Sequence, residues 1–293
     1  MAGARSLGHL GICILLVFLT IGIGNVSASA VYNAVNGNYY ELVNDPYITW
    51  SEARDAAAAA VLEGTVQGYG HLATITTPEE NSFVFTQYPG NELSNKWIGG
   101  YQPDASAVTT GWQWITGEPW VWTNWNTGEP SNNFYAAYGY ENATTYWDGT
   151  GKWNDAPQLW QYFSGGYLIE WDCIPALIDI RPGSVPNSIN PGEEGTVPVA
   201  VLGSPVLDVT TIDPASIALN GMSVDTRGSG KAPKPAYSYE DVNSDGFMDL
   251  VAHFRVSSLG LTGSETELQL SALTSDGQII LSADSVKIVP PKI

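Results

Sequence analysis

The 293-residue chain holds two cysteines, Cys13 and Cys173. Cys13 falls within an apolar stretch, Leu10 to Ile23, that reads as the core of a signal sequence. Arg5 supplies its positive end and Ala28-Ser29-Ala30 a small-x-small cleavage site, so residues 1–30 are expected to be removed and the protein secreted. That leaves Cys173 alone, which excludes an intramolecular disulfide and a small domain held together by several of them. Basic residues are also scarce. Eleven Lys and Arg face 30 Asp and Glu, a net charge of −19, and loss of the leader removes Arg5 and no acid, giving −20. Such a chain repels phosphate backbones and anionic membranes, which argues against nucleic-acid partners. The leader run is too short for a comfortable span and no later run replaces it, so no membrane insertion is expected. Histidine is rare too: of three, His71 and His253 lie in apolar strand contexts and read as packed residues. No nucleophile elbow, His-rich metal motif or phosphate-cradling glycine loop occurs, so the chain does not read as an enzyme.

What is present suits globular domains. The chain is 44% hydrophobic and 14% charged, enough for real cores, and its length favours two domains. Ten of the eleven tryptophans fall between Trp97 and Trp171. Trp97, Trp112, Trp114 and Trp125 are expected in a core, whereas Trp120, Trp122, Trp147 and Trp160 are candidates for stacking beside a site. Tryptophan stops at Cys173-Ile174-Pro175, which divides the chain into 31–173 and 176–293. In the first part, Thr49 and Glu52 form a capping box for a helix to Leu62 ended by Gly64. A second helix starts at Thr77, with Pro78 first and Glu80 closing another box. Leu72-Ala73-Thr74-Ile75 alternates like a strand. In the second part, short strand signals recur at Leu177 to Ile180, Thr196 to Leu202, Ile217 to Leu219, Met248 to Phe254, Glu267 to Leu273 and Ser285 to Val289, which predicts an all-β sandwich.

Five mid-chain positions carry candidate chemistry: Glu129, Ser131, Glu141, Asn154 and Asp155. All offer oxygen and none offers a thiol or imidazole. The set suits a hard cation such as calcium, which takes six to eight oxygen ligands. Glu129 and Asp155 could instead pair as glycosidase carboxylates, but a metal accounts better for their amide neighbours.

Trp97-Ile98-Gly99-Gly100, Trp125-Asn126-Thr127-Gly128-Glu129-Pro130, Glu141-Asn142, Trp153-Asn154-Asp155 and Gly166-Tyr167-Leu168-Ile169-Glu170 come in the order and rough spacing of one family. Over about Tyr39 to Trp171 the chain resembles a C-type lectin-like domain. The resemblance implies an α+β fold and a cis Glu129–Pro130 peptide. It also implies that Glu129, Ser131, Glu141, Asn154 and Asp155 form one calcium shell, whose free positions take two neighbouring sugar hydroxyls. Glu129 implies a mannose-type preference, since galactose-type sites have Gln there. Ser131 departs from the usual Asn and supplies one short hydroxyl in place of an acceptor and an NH2 donor. Gln158 and Ile169 fall near where the family's cysteines would lie, which points to a bacterial or archaeal version. Gln102-Pro103-Asp104 spells the galactose-type motif but sits too early, and reads as a surface turn.

The second part resembles, at Asp179-Ile180-Arg181-Pro182-Gly183-Ser184 and Pro198-Val199-Ala200-Val201-Leu202-Gly203, an accessory domain of secreted bacterial proteins. It also carries Asp241, Asn243, Asp245, Gly246 and Asp249, spaced as in a calcium loop and running into a strand. The function expected is calcium-dependent binding of glycans or polysaccharide. The alternative is adhesion or protein recognition through the same fold without sugar. The sugar and the oligomeric state are left open.

Overall fold

The computed structural model describes residues 30–63, 65, 70–104, 107–227 and 234–289. Residues 1–29 of the expected 1–30 leader and the Gly64 helix stop lie outside the described residues. Chain contacts divide the described residues into an amino-terminal unit, 30–174 with Leu273–Ile279, and a carboxy-terminal unit, Pro175–Ala272 with 280–289. Described residues are mostly β, with two α-helices, both in the amino-terminal unit. Among them, no helix is long and apolar enough to cross a membrane.

The amino-terminal unit runs β1 (Val31–Tyr32), β2 (Tyr39–Asn44), α1 (Trp50–Ala59), β3 (His71–Leu72), α2 (Pro78–Gln87), β4 (Lys96–Tyr101), β5 (Gln113–Trp114), β6 (Phe134–Tyr135), β7 (Gly139–Tyr140), β8 (Ala143–Tyr146), β9 (Trp153–Ala156) and β10 (Gly166–Trp171). The main sheet has the order β1-β2-β10-β4-β8-β9, with β3 on β10 and β5 on β4. β10 is its hub, antiparallel to β2 and β3 and parallel to β4. The strand enters at Gly166, where φ is +128° and a Cβ would stand 2.0 Å from the Val43 carbonyl oxygen, so only glycine fits.

Both predicted helix starts form, with differences. Thr49 and Glu52 make the reciprocal capping box, but α1 ends at Ala59, short of Leu62. At α2 the Thr77 hydroxyl accepts from the Glu80 amide, while the Glu80 carboxylate turns inward to the Thr76 amide (2.7 Å) and the Tyr40 hydroxyl (2.5 Å). Burial decides this: Glu80 is 4% exposed and finds its donors inside. The strand predicted to run from Leu72 to Ile75 shortens to His71–Leu72; beyond it Ala73 bonds singly to Leu168 and Gly99.

The core gathers Tyr40, Leu42, Ile75, Val84, Leu93, Ile98, Trp114, Tyr146, Trp153 and Leu168. Trp97 and Trp112 are also buried, whereas Trp125 is half-buried against the core with Trp120 and Trp122. Indole N–H groups tie distant segments together. Trp50 donates to the Ile98 carbonyl (2.9 Å), Trp97 to Ile48 (3.0 Å), Trp171 to Ala60 (3.3 Å) and Trp153 to the Asn81 side chain (3.3 Å). Cys173 is buried and forms no disulfide among the described residues.

The carboxy-terminal unit comprises β11 (Leu177–Ile180), β12 (Ser188–Ile189), β13 (Thr196–Leu202), β14 (Ala218–Leu219), β15 (Met222–Ser223), β16 (Thr226–Arg227), β17 (Lys234–Pro235), β18 (Tyr237–Glu240), β19 (Asp249–Arg255), β20 (Glu267–Leu273), β21 (Ile279–Ser285) and β22 (Lys287–Ile288). Two four-stranded sheets result, β11-β13-β19-β18 and β15-β14-β20-β21. Alternation along β13 and β19 buries Val199, Val201, Leu250, Ala252 and Phe254. Tyr237–Glu240 and Ile279–Ser285, without an unbroken apolar alternation, were not legible as strands.

Candidate functional site

The site grows from β9, whose four residues, Trp153-Asn154-Asp155-Ala156, are all buried. One edge of β9 pairs with β8, placing Thr144 opposite Asp155 and Thr145 opposite Asn154. Along the other edge, Trp153 N–H donates to the Asn124 carbonyl (2.9 Å) and Asn126 N–H to the Trp153 carbonyl (2.8 Å). These two bonds lay the chain before Glu129 against β9. Glu129 N–H closes a turn on the Asn126 carbonyl (3.0 Å), and the Glu129–Pro130 peptide is cis. Asn132 has φ +50°, a left-handed conformation that asparagine tolerates. The β6–β7 hairpin follows and returns Glu141, whose N–H reaches the Asn133 carbonyl (3.2 Å).

Two loops and a strand thus bring the predicted residues together. Asp155 Oδ1 accepts from Ser131 N–H (3.0 Å), and Oδ2 from Asn132 N–H (2.8 Å). Glu141 Oε2 accepts from the Ser131 hydroxyl (2.9 Å) and from Asn133 N–H (2.8 Å). Glu129 lies close enough to add to the upward shift of the Asp155 carboxyl. Its Oε2 is buried and has no hydrogen-bond partner. Asn154, next in the strand and 4% exposed, turns its amide nitrogen onto the Asp155 carbonyl, which leaves its side-chain oxygen as the ligand-type atom.

The charges are crowded. Burial pushes the Asp155 carboxyl up to about 7, helped by Glu141 and Glu129, against the pull of the Ser131 and Asn132 amides. Burial likewise raises Glu141, with Glu129 adding to it, while the Asn133 amide and Ser131 hydroxyl pull it down. Ser131 bridges two of these carboxylates, its amide on Asp155 and its hydroxyl on Glu141. Among the described residues, the trio of His, Cys, Asp or Glu groups with ligand atoms all within 4.8 Å of one another is His71, Glu170 and Asp172.

Sequence reading missed Tyr135 and Asn133. The Tyr135 phenol is raised by burial and then by the charges of Glu141, Glu129 and Asp155, and it bonds to Glu141. Asn133 adds a side-chain donor to the Ser131 hydroxyl (2.8 Å). Spacing alone could not find Tyr135, because its approach to Glu141 depends on the β6–β7 hairpin, whereas Asn133 lies two residues from Ser131 and was legible there. From Tyr135 a row of rings leads outward: Trp160 at 4.8 Å, Phe163 at 4.9 Å from Trp160, then Trp147 at 5.9 Å from Phe163. Gln102 differs from the predicted surface turn. It is 1% exposed, and its amide braces the Ala107 and Thr110 carbonyls, because a turn so near the sheet needs its inward carbonyls satisfied.

In the carboxy-terminal unit, Asp241, Asn243 and Asp245 fold over their own loop. Asp241 accepts from the Asp245 and Gly246 amides (3.2 and 3.1 Å), and Asn243 from the Asp245 amide (3.0 Å). Asp249 is fully buried and accepts from Gly203 and Val242 N–H (both 2.8 Å), so it anchors the loop to the sheet.

No family model matches the chain. Fourteen curated proteins are similar to it, among them the following three. Halomucin of Haloquadratum walsbyi is 32% identical over 126 residues, covering 42% of this chain and 1% of that protein. C-type lectin domain family 4 member G of Homo sapiens is 30% identical over 112 residues, covering 38% and 33%. Lithostathine-2 of Mus musculus is 30% identical over 125 residues, covering 42% and 64%. The chain thus spans less than two thirds of each of these relatives. With the fold and the ordered motifs above, these matches identify a C-type lectin-like domain in the amino-terminal half of the chain.

Proposed function

We propose that this protein is a secreted, non-enzymatic lectin that binds glycans or polysaccharide through calcium held by Glu129, Ser131, Glu141, Asn154 and Asp155. The observation that carries the reading is the convergence of oxygen-only side chains from two loops and β9, with a buried Glu129 oxygen left unbonded. Carboxylates crowded in this way are neutralised by protons or by a cation, and an all-oxygen donor set favours a hard one. Calcium, when bound, would offer open coordination positions to a pair of neighbouring sugar hydroxyls. The protein's own groups orient the sugar: Glu129 and Glu141 accept from its hydroxyls, and the Asn154 and Asn133 amides supply polar partners. Glu129 favours mannose-type hydroxyl geometry. We read the two sheets of the carboxy-terminal unit as a β-sandwich, with Asp241, Asn243, Asp245 and Asp249 as a structural calcium loop. Names of relatives that include "lectin" support the sugar-binding reading.

A glycan array run in calcium and in EDTA tests it. Signals on mannose-type glycans that vanish in EDTA and in Asp155→Ala support the proposal. Binding that survives the chelator overturns it and favours protein or glycan recognition by the exposed aromatic surface, where Phe134 is 62% and Tyr140 47% exposed.

A further inference from the structure

A second group of ligand-type side chains lies elsewhere in the amino-terminal unit. Strand pairing sets His71 of β3 directly opposite Glu170 of β10. Asp172 follows two residues later, where strand alternation returns a side chain to the same face as Glu170. One nitrogen and two carboxylate oxygens therefore come within 4.8 Å of one another. His71 is packed, as expected, but its ring faces two carboxylates and not apolar neighbours.

The ring's hydrogen bonding defines what the site takes. His71 Nδ1 lies 3.0 Å from the Leu72 carbonyl oxygen, which can only accept, so Nδ1 carries the hydrogen. In the neutral ring Nε2 then presents a lone pair. It is buried and lies 3.4 Å from Asp172 Oδ2. Against the cost of burial, Asp172 and Glu170 raise the imidazole to about 9, so in the empty site a proton on Nε2 joins the pair, and a metal ion takes that proton's place. Zinc ligands at about 2.0–2.2 Å in a tetrahedron stand about 3.3–3.6 Å apart, which matches this separation. The carboxylates are fixed from behind, as ligating groups usually are. Asn38 Nδ2 donates to Glu170 Oε1 (2.7 Å) and Asp172 Oδ1 (3.1 Å), and Thr74 N–H donates to Glu170 Oε2 (2.7 Å). Imidazole with carboxylates selects zinc-like ions over calcium.

We propose that His71 Nε2, Glu170 and Asp172 form a zinc-class metal site that clips β3 to the end of β10. It is independent of the Glu129–Asp155 cluster and of the sugar-binding proposal. Asp172, with its side chain 41% exposed, gives the ion its entry path and leaves the fourth position to water. The test is calorimetric titration of zinc chloride into the whole protein, stripped of metal and then held in excess calcium so that oxygen-only sites are filled. One zinc per chain is expected, bound at least ~100-fold more weakly by His71→Gln and by Asp172→Asn, since changes behind the ligands alone cost about 10–100-fold. No zinc uptake by the wild type, or equal uptake by both variants, overturns the assignment. Histidine 15N spectra of the wild type decide the matter even where a variant fails to fold. Zinc should shift Nε2 while Nδ1 stays protonated, whereas an imidazolium that persists at saturating zinc reduces the site to an ion pair and refutes the proposal.

Discussion

Asp155→Ala removes a fully buried carboxylate whose two oxygens hold the Ser131 and Asn132 amides. Two effects follow, and calcium separates them. Without calcium, each orphaned buried amide costs about 1–3 kcal/mol. Relief of the crowding against Glu129 and Glu141 offsets part of this, so a net loss of about 2–4 kcal/mol is expected. For a unit of this size, 1 kcal/mol moves the melting temperature by about 2–4 °C, so the variant should melt about 4–16 °C lower in EDTA. With calcium at about 100 times its dissociation constant, the wild type gains about 2.7 kcal/mol, or about 5–11 °C, and the variant gains nothing. Calorimetric melting at pH 8, above the raised Asp155 value of about 7, keeps the carboxylate ionised. Performing both melts in an Asp245→Ala background silences the other calcium loop. A variant that keeps the wild-type calcium increment, or a wild type that shows none, would refute the ligand assignment whatever the drop in EDTA.

Ser131→Asn should tighten mannose binding by restoring an acceptor and an NH2 donor; titration calorimetry on both proteins checks it, and weaker binding would show that Asn133 already fills that role. Asp245→Ala should lower the melting of the carboxy-terminal unit in calcium and leave it unchanged in EDTA; equal changes in both buffers would remove calcium from that loop. Alkali gives a pH test. Burial, with the charge of Glu41 adding to it, pushes the Tyr88 phenol up to about 12, and its hydroxyl donates to the Tyr40 carbonyl (3.0 Å). The folded state thus keeps a proton that the unfolded state loses near pH 10, so this contribution is whole below pH 10 and is lost as pH rises toward 12. Tyr88→Phe should remove about one proton from the slope of stability against pH in that window; an unchanged slope would refute the burial argument.

Capping and alternation made much of the fold legible. Thr49 with Glu52, Thr77 with Pro78, and the apolar runs of β13 and β19 declare themselves through neighbours a few residues away. The Glu80 carboxylate did not, because its inward turn depends on Tyr40, forty positions earlier. The five oxygen residues were legible as a set since the chain spells them in order, but Tyr135 joins them only because β6 and β7 fold back. His71 read as an ordinary packed residue for the same reason: the residue across from it, Glu170, is ninety-nine positions away and only sheet register unites them.

The four indole hydrogen bonds have a bearing on how the protein can be made and handled. Bonds of this kind contribute about 0.5–1.5 kcal/mol each, so together they rival one disulfide at about 2–4 kcal/mol. Unlike a disulfide, they form without an oxidant and are indifferent to glutathione. The lectin-like half should therefore mature in a bacterial cytosol as well as outside the cell, and a reductant in the buffer should leave its melting unmoved.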